Sequence, residues 1–118
     1  MCAPKYNPKN KATFRQKDWI SVAIACASEA EALACEELAG WCRNAGKIAQ
    51  PKKSDQDMLD SVLCILVALR WRLRSRETTL FLGDLVTGYM ILPASQAVRE
   101  RLKKPARKHS LEMDGKVQ

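Results

Sequence analysis

The chain has 118 residues, of which 47% are hydrophobic and 28% charged, which suits one small globular domain and excludes a disordered chain. The net charge is +7, so a phosphate-rich partner is among the expected ones. The longest apolar runs, 19–27 and 61–69, are too short to span a membrane, and no signal peptide is predicted.

Five cysteines and one histidine limit thiol and metal chemistry. The cysteines contain no Cys-x-x-Cys pair, and their odd number suits free thiols in a reducing, cytoplasmic compartment. All except the first lie in apolar helical surroundings, where cysteine packs as a small hydrophobe. The single histidine, His109, lies in a basic segment, so zinc binding and Cys–His catalysis are poorly supported.

The N-terminal part is predicted to contain a basic arm and a helical region. Residues 1–13 contain prolines, asparagines and lysines without periodicity, which predicts an extended basic arm. From 14 to 26 the apolar spacing fits a helix, although it would also suit a buried strand. Ser28 followed by Glu31 forms a capping box, which predicts a helix ending near Gly46.

A central helix is predicted next. Ser54 with Asp57 three residues later indicates its capped start, and it should run to about Arg74. Residues 61–69 are apolar all round, so the helix is expected to be buried on most sides.

The C-terminal part is predicted to hold a hairpin, a short helix and a tail. Two β-prone runs, 78–84 and 88–93, are joined by a short link that suits a hairpin. Ser95 is expected to cap a helix over 96–103, which Pro105 ends, and 104–118 would form a polar basic tail. The chain is thus predicted to be α+β and mostly helical, with a single domain over 14–103.

Positive charge is concentrated at the two ends of the sequence. Such ends fit nucleic acid as a partner, and they fit equally well solvated flanks that keep a small protein soluble. The candidate nucleic-acid-binding residues are Lys5, Lys9, Lys11, Arg15, Lys17, Arg99, Arg101, Lys103 and Lys104.

Asp57 and Asp60 are the candidate site for metal chemistry. They lie three residues apart, so a helix places them on one face. Capping explains Asp57, whereas Asp60 lies further into the apolar part of the helix and should face a partner, a metal or water. Mg²⁺ and Mn²⁺ prefer such oxygen ligands but usually need further acids, and Asp84 is the one other candidate outside the helices.

The order of these motifs resembles the C-terminal part of the DUF 429 family, a domain of unknown function whose members are predicted RNase H-like nucleases. The resemblance covers 54–93 and implies the C-terminal portion of an RNase H-like α/β fold, with a long buried central helix and a short β-hairpin. It further implies that Asp57 and Asp60 are catalytic metal ligands. The motifs that carry it are Asp57-Met58-Leu59-Asp60, the apolar helix up to Trp71, and Gly83-Asp84 followed by Gly88-Tyr89-Met90-Ile91-Leu92-Pro93.

The family's first strand, which bears its catalytic aspartate, has no counterpart in this chain. The resemblance therefore implies a truncated or partner-dependent nuclease. It would use Mg²⁺ or Mn²⁺ if catalytic, and its partner would be a second copy or a missing N-terminal half. The alternative is a non-catalytic basic helical protein that binds nucleic acid or another chain. No membrane association is expected.

Overall fold

A computed structural model describes residues 2–118 and confirms a mostly helical α+β chain. The helices are α1 (Gln16–Ala32), α2 (Glu36–Gly46), α3 (Lys53–Leu73) and α4 (Gln96–Lys108), and the strands are β1 (Thr79–Asp84), β2 (Gly88–Pro93), β3 (Glu112–Met113) and β4 (Lys116–Val117). The chain divides into two compact units: the first ends at Leu66, and the second spans Val67–Gln118. This division differs from the single domain predicted over 14–103.

Close packing of α1 against α2 builds the core of the first unit. Ala23, Ala30 and Ala39 are fully buried, and such small side chains let the two backbones approach closely. Trp19 is also fully buried, and its indole N–H donates to the carbonyl oxygen of Ala45 at 2.9 Å. The region 14–26, which the sequence left open between helix and strand, therefore contributes a helix.

The predicted helix start at Ser28 is wrong, because Ser28 lies inside α1. The chain turns into α2 a few residues later, where Ala34 adopts a left-handed conformation with φ of 59°. The Cys35 N–H then donates to the carbonyl oxygen of Ala30 at 2.8 Å and closes the end of α1. The predicted end near Gly46 is confirmed, although Gly46 is the last helical residue rather than a left-handed cap.

The start of α3 lies close to the predicted one, but a different aspartate caps it. Asp55 Oδ2 accepts the Lys52 backbone N–H at 2.7 Å, so the capping role assigned to Asp57 is wrong. The expected burial on most sides is also wrong, since Ile65 is 48% exposed. The helix is buried along a single stripe, and its other sides are partly or fully exposed. The buried residues of α3 are Gln56, Leu59, Val62 and Leu66.

In the second unit, β1 and β2 form the predicted hairpin. The sheet order is β2-β1-β3-β4, and all neighbouring strands are antiparallel. Leu80 of β1, Met113 of β3 and Ala106 of α4 are buried together in one core. One face of the sheet is therefore covered by α4.

The C-terminal segment is more structured than the sequence suggested. The predicted helix end at 103 is wrong, because α4 continues through Pro105 to Lys108. Pro105 is tolerated near the end of the helix, where its missing N–H removes a single helical hydrogen bond. The segment predicted as a polar tail then adds β3 and β4 to the sheet, with Met113 buried and paired with Leu82.

Thiols and helix lengths bear on two further predictions. The five cysteines are free thiols, as their odd number predicted. Cys26 and Cys42 are buried, and burial raises the pKa of the Cys26 thiol to about 11. Cys64 is exposed, although the sequence predicted that it would be packed.

Within residues 2–118, no helix combines the length and apolar character that crossing a membrane requires.

Candidate nucleic-acid interface

Asp57 has a local structural role in the first turn of α3. Its Oδ1 lies 2.7 Å from the Lys53 ammonium group, four residues earlier, and both side chains are exposed. Exposed pairs at this spacing contribute about 0.3–0.5 kcal/mol to stability. The structure therefore places Asp57 at the surface in a weak ion pair.

Asp60 connects the N-terminal arm to α3. Its Oδ1 accepts a hydrogen bond from the Tyr6 hydroxyl at 2.8 Å in a partly buried position. The arm is held at two more points, because the Lys5 N–H donates to Asp18 Oδ2 and the Arg15 N–H donates to the Lys5 carbonyl oxygen, each at 2.8 Å. The sequence predicted a partner, a metal or water beside Asp60, and the structure shows a tyrosine of the same chain as a hydrogen-bond partner.

Tyr6 should make the stability of the fold depend on pH. Burial, followed by the hydrogen bond to Asp60, raises the pKa of Tyr6 from 10.0 to about 12. Because the folded state favours the protonated phenol, this contribution is complete below pH 10 and is lost as the pH rises towards 12. When phenolate absorbance is titrated against pH, Tyr6→Phe should remove the part of the absorbance change that occurs near pH 12. A wild-type titration without that change would contradict the contact.

Asp57 and Asp60 are not joined by a third ligand. Among residues 2–118, no three side chains of the His, Cys, Asp or Glu types are grouped so that they could hold a metal ion. Asp84 is committed to the hairpin turn, where it accepts the Thr87 hydroxyl and the N–H groups of Val86 and Thr87. These hydrogen bonds, led by that of the hydroxyl, hold the pKa of Asp84 below its ordinary value. The described residues therefore do not fit a complete Mg²⁺ or Mn²⁺ site.

The excess positive charge is concentrated in the second unit. Val67–Gln118 contains 11 lysines and arginines against five acidic residues, which gives this unit +6 of the net charge of +7. In the first unit, nine basic residues are nearly balanced by eight acidic ones. A polyanion is thus expected to be attracted mainly to the second unit.

The basic residues of α4 fall into two groups. Arg99 forms an ion pair with Asp114, and the Lys103 ammonium group lies 2.7 Å from Glu100. The remaining four are exposed, have no ion-pair partner among residues 2–118, and lie on the side of α4 turned away from the core. These four, referred to as the α4 cations, are Arg101, Lys104, Arg107 and Lys108.

The predicted N-terminal cations are exposed as well, and none has an ion-pair partner within the part of the chain from 2 to 118. They lie on the arm and at the start of α1, and the backbones of Lys5 and Arg15 are hydrogen-bonded. Because the first unit is almost neutral, this group is the weaker candidate for binding a polyanion. It consists of Lys5, Lys9, Lys11, Arg15 and Lys17.

Three rings of the second unit form a surface that the sequence did not predict. The rings of Phe81 and Tyr89 stack with centroids 4.6 Å apart, and Trp71 lies 6.5 Å from Phe81. The Arg76 guanidinium lies 3.4 Å from the centre of the Trp71 ring. At 6% aromatic residues the composition indicates few stacking groups, but three of the seven rings meet here. We name Trp71, Phe81 and Tyr89 the aromatic row.

No protein-family model, curated protein or solved structure shows significant similarity to this chain. Membership of the DUF 429 family and an RNase H-like fold therefore stay predictions. The function has to be inferred from the surfaces of the two units, above all from the α4 cations and the aromatic row.

Proposed function

We propose that the chain is a non-catalytic protein that binds nucleic acid through the α4 cations. The observation that supports this proposal is the presence of four exposed, unpaired cations on one face of an ordered helix. Arg99 and Lys103 of the same helix form ion pairs with acidic residues. The α4 cations differ from these two because their charges are not paired.

Phosphate contacts by the α4 cations would supply affinity without sequence preference. A helix rises about 1.5 Å per residue, so Arg101 and Lys108 lie about 10 Å apart along its axis. A DNA duplex carries one phosphate charge per about 1.7 Å of its axis, so several phosphates lie within that span. The surplus charge of the second unit would also accelerate association with a polyanion.

Arg107 and Lys108 have a competing structural role. They occupy the last turn of α4, where cations interact favourably with the negative end of the helix dipole by about 0.3–1 kcal/mol. If Arg107 and Lys108 only stabilise the helix end, substituting them should lower the stability of the fold but should not change the affinity of a folded variant for DNA. Arg101 and Lys104 precede the last turn, so binding measurements on these two residues test the proposal separately.

The test measures the affinity for a fluorescently labelled DNA duplex by anisotropy between 50 and 200 mM KCl. Four phosphate contacts predict a slope of log K against log[salt] of about −3.6 and a roughly 100-fold loss of affinity over this range. Replacing all four α4 cations by glutamine should weaken binding at the lower salt concentration by at least about tenfold and should flatten the slope.

Two adjacent lysines provide a matched control. Lys104→Gln should reduce the slope by about 0.9, whereas Lys103→Gln should leave it near the wild-type value because Lys103 is paired with Glu100. A wild-type affinity that does not change with salt would contradict the proposal, and so would equal losses in the two variants. A variant with glutamine at Lys5, Lys9 and Lys11 measures the contribution of the arm.

Metal-dependent nuclease activity of RNase H-like type is a second candidate, suggested by the resemblance to the DUF 429 family. The observation in its favour is that Asp57 and Asp60 share a helix face and that Asp60 uses only Oδ1 in its hydrogen bond to Tyr6. A second chain would have to supply the remaining acids. Cleavage of the labelled oligonucleotide in Mn²⁺ that is lost in Asp60→Asn would favour this candidate, whereas an intact oligonucleotide would exclude a site that a second copy of this chain completes.

A further inference from the structure

The aromatic row is suited to contact bases as well as to pack. We infer that Tyr89 stacks on the unpaired bases of a single-stranded nucleic acid. This inference rests on the proposed function and narrows it to a class of ligand. Aromatic side chains bind single strands with little sequence preference, because every base offers a π-face.

The aromatic row lies on the sheet face that α4 leaves uncovered. Side chains alternate between the two faces of a strand, and Leu80 and Leu82 belong to the core beneath α4. Phe81, between them, therefore points to the other face. Tyr89 pairs with Gly83 in the hairpin register and shares the face of Phe81. The rings of Phe81 and Tyr89 are thus directed away from α4.

Tyr89 presents one open ring face. Its ring stacks on Phe81 with an angle of 16° between the planes, which covers one side. The residue is nevertheless 56% exposed, so the other side of the ring faces solvent. Because the ring is already fixed against Phe81, a base that stacks on it would not have to order a mobile side chain.

Positive charge accompanies the rings. Arg76 lies over Trp71, and Arg72 is exposed without an ion-pair partner among residues 2–118. Asp84, at the turn of the hairpin, accepts hydrogen bonds from that turn and keeps its negative charge, so phosphates are expected on the side of Arg76 rather than at the turn. An open aromatic ring with arginines beside it favours a ligand that combines phosphates with exposed ring faces over an apolar peptide. A duplex offers phosphates and groove edges but no open ring faces, because its bases are stacked on each other.

The experiment compares two probes of equal charge: a twelve-nucleotide oligothymidylate and an abasic strand of the same length, which keeps the sugar-phosphate backbone but lacks bases. Wild type should bind the oligothymidylate roughly 5- to 100-fold more tightly than the abasic strand, the range expected for stacking of a base on an aromatic ring. Tyr89→Phe should keep this preference, and Tyr89→Leu should reduce it towards one.

The outcomes separate the inference from the proposed function. Equal binding of the two probes by wild type would overturn the stacking inference while leaving the proposed function intact. Binding of neither probe, nor of the duplex, would contradict the proposed function itself. The α4 cations and the ring of Tyr89 lie on opposite sides of the second unit, so the variant without these cations should keep the ratio of the two affinities even where it binds both probes more weakly. The probe comparison on wild type does not depend on whether Tyr89→Leu folds, and circular dichroism checks the variants.

Discussion

Arg99→Ala is expected to lower the free energy of unfolding by about 2 kcal/mol, although Arg99 belongs to a run of surface cations in the sequence. Its guanidinium donates to the backbone oxygens of Arg76 at 3.1 Å and of Glu77 at 3.4 Å. It also donates to the Thr79 oxygen and forms an ion pair with Asp114. The Arg99 side chain is only 16% exposed, and its loss would remove all four contacts and leave the part-buried Thr79 oxygen without this donor.

The matched control is Arg101→Ala, two residues further along the same helix. Arg101 is exposed and unpaired among residues 2–118, so its substitution should change stability by less than about 0.5 kcal/mol. Urea denaturation followed by circular dichroism measures both variants. Equal losses would contradict the network around Arg99.

The same variant should alter the response to acid. Burial alone would raise the pKa of Asp114, but the hydrogen bonds from Arg99 and from the Phe81 N–H hold it below its ordinary value. Asp114 thus stabilises the fold above its ordinary pKa, and this contribution is lost as the pH falls through the lowered value. In Arg99→Ala the loss of stability on acidification should therefore be smaller than in wild type.

The roles of the C-terminal cations show where inference from sequence stops. Charge clustering was visible in the sequence, but it could not separate Arg99 from Arg101. The ion-pair partner of Arg99 is Asp114, which lies in a segment predicted as a polar tail. The pairing depends on strands of two residues each, β3 and β4, which are too short to produce a periodic pattern.

The carboxylates of α3 show the same limit. The sequence predicted that Asp60 would face a partner, a metal or water, but it could not indicate Tyr6, which lies 54 positions away in an arm predicted to be extended. The assignment of the cap failed through a small error in the helix boundary, since Asp55 rather than Asp57 reaches back to the backbone. The error in the cap is therefore one of a few residues, whereas the contact of Tyr6 with Asp60 left no signal in the sequence at all.

The hairpin was predictable because its signals are local. Two β-prone runs flank a short turn, and Asp84 forms hydrogen bonds within that turn. The aromatic row was not predictable, because it depends on the register that pairs Gly83 with Tyr89. A slip of one residue in that register would turn Tyr89 to the face that α4 covers. The surface that we propose for base stacking is thus decided by strand pairing rather than by composition.

Gly83→Ala should be the most damaging substitution in the hairpin, with a loss of about 3 kcal/mol in the free energy of unfolding. Gly83 has a φ of +102°, which a side chain rarely adopts. A Cβ at this position would also lie 2.3 Å from the Gly88 oxygen and 3.0 Å from Tyr89 Cα, so the two strands would have to separate.

Gly88→Ala is the matched control, because it introduces backbone strain without the steric clash expected at Gly83. Gly88 has a φ of +129°, but a Cβ there would meet no atom within 4 Å, so we expect a loss of only about 1–2 kcal/mol. The difference between the two variants, measured by urea denaturation, isolates the steric contribution. Equal losses would mean that strand separation is not required.

The same pair of variants connects the fold to the proposed binding surface. Displacing Tyr89 from Phe81 should remove the preference of Gly83→Ala for oligothymidylate over the abasic strand. Binding of the abasic strand should persist in this variant wherever circular dichroism shows that α4 is intact, because the α4 cations contact phosphates alone. Gly88→Ala should retain the preference. If Gly83→Ala is folded and still discriminates between the two strands, the stack of Tyr89 on Phe81 is not the surface that the bases contact.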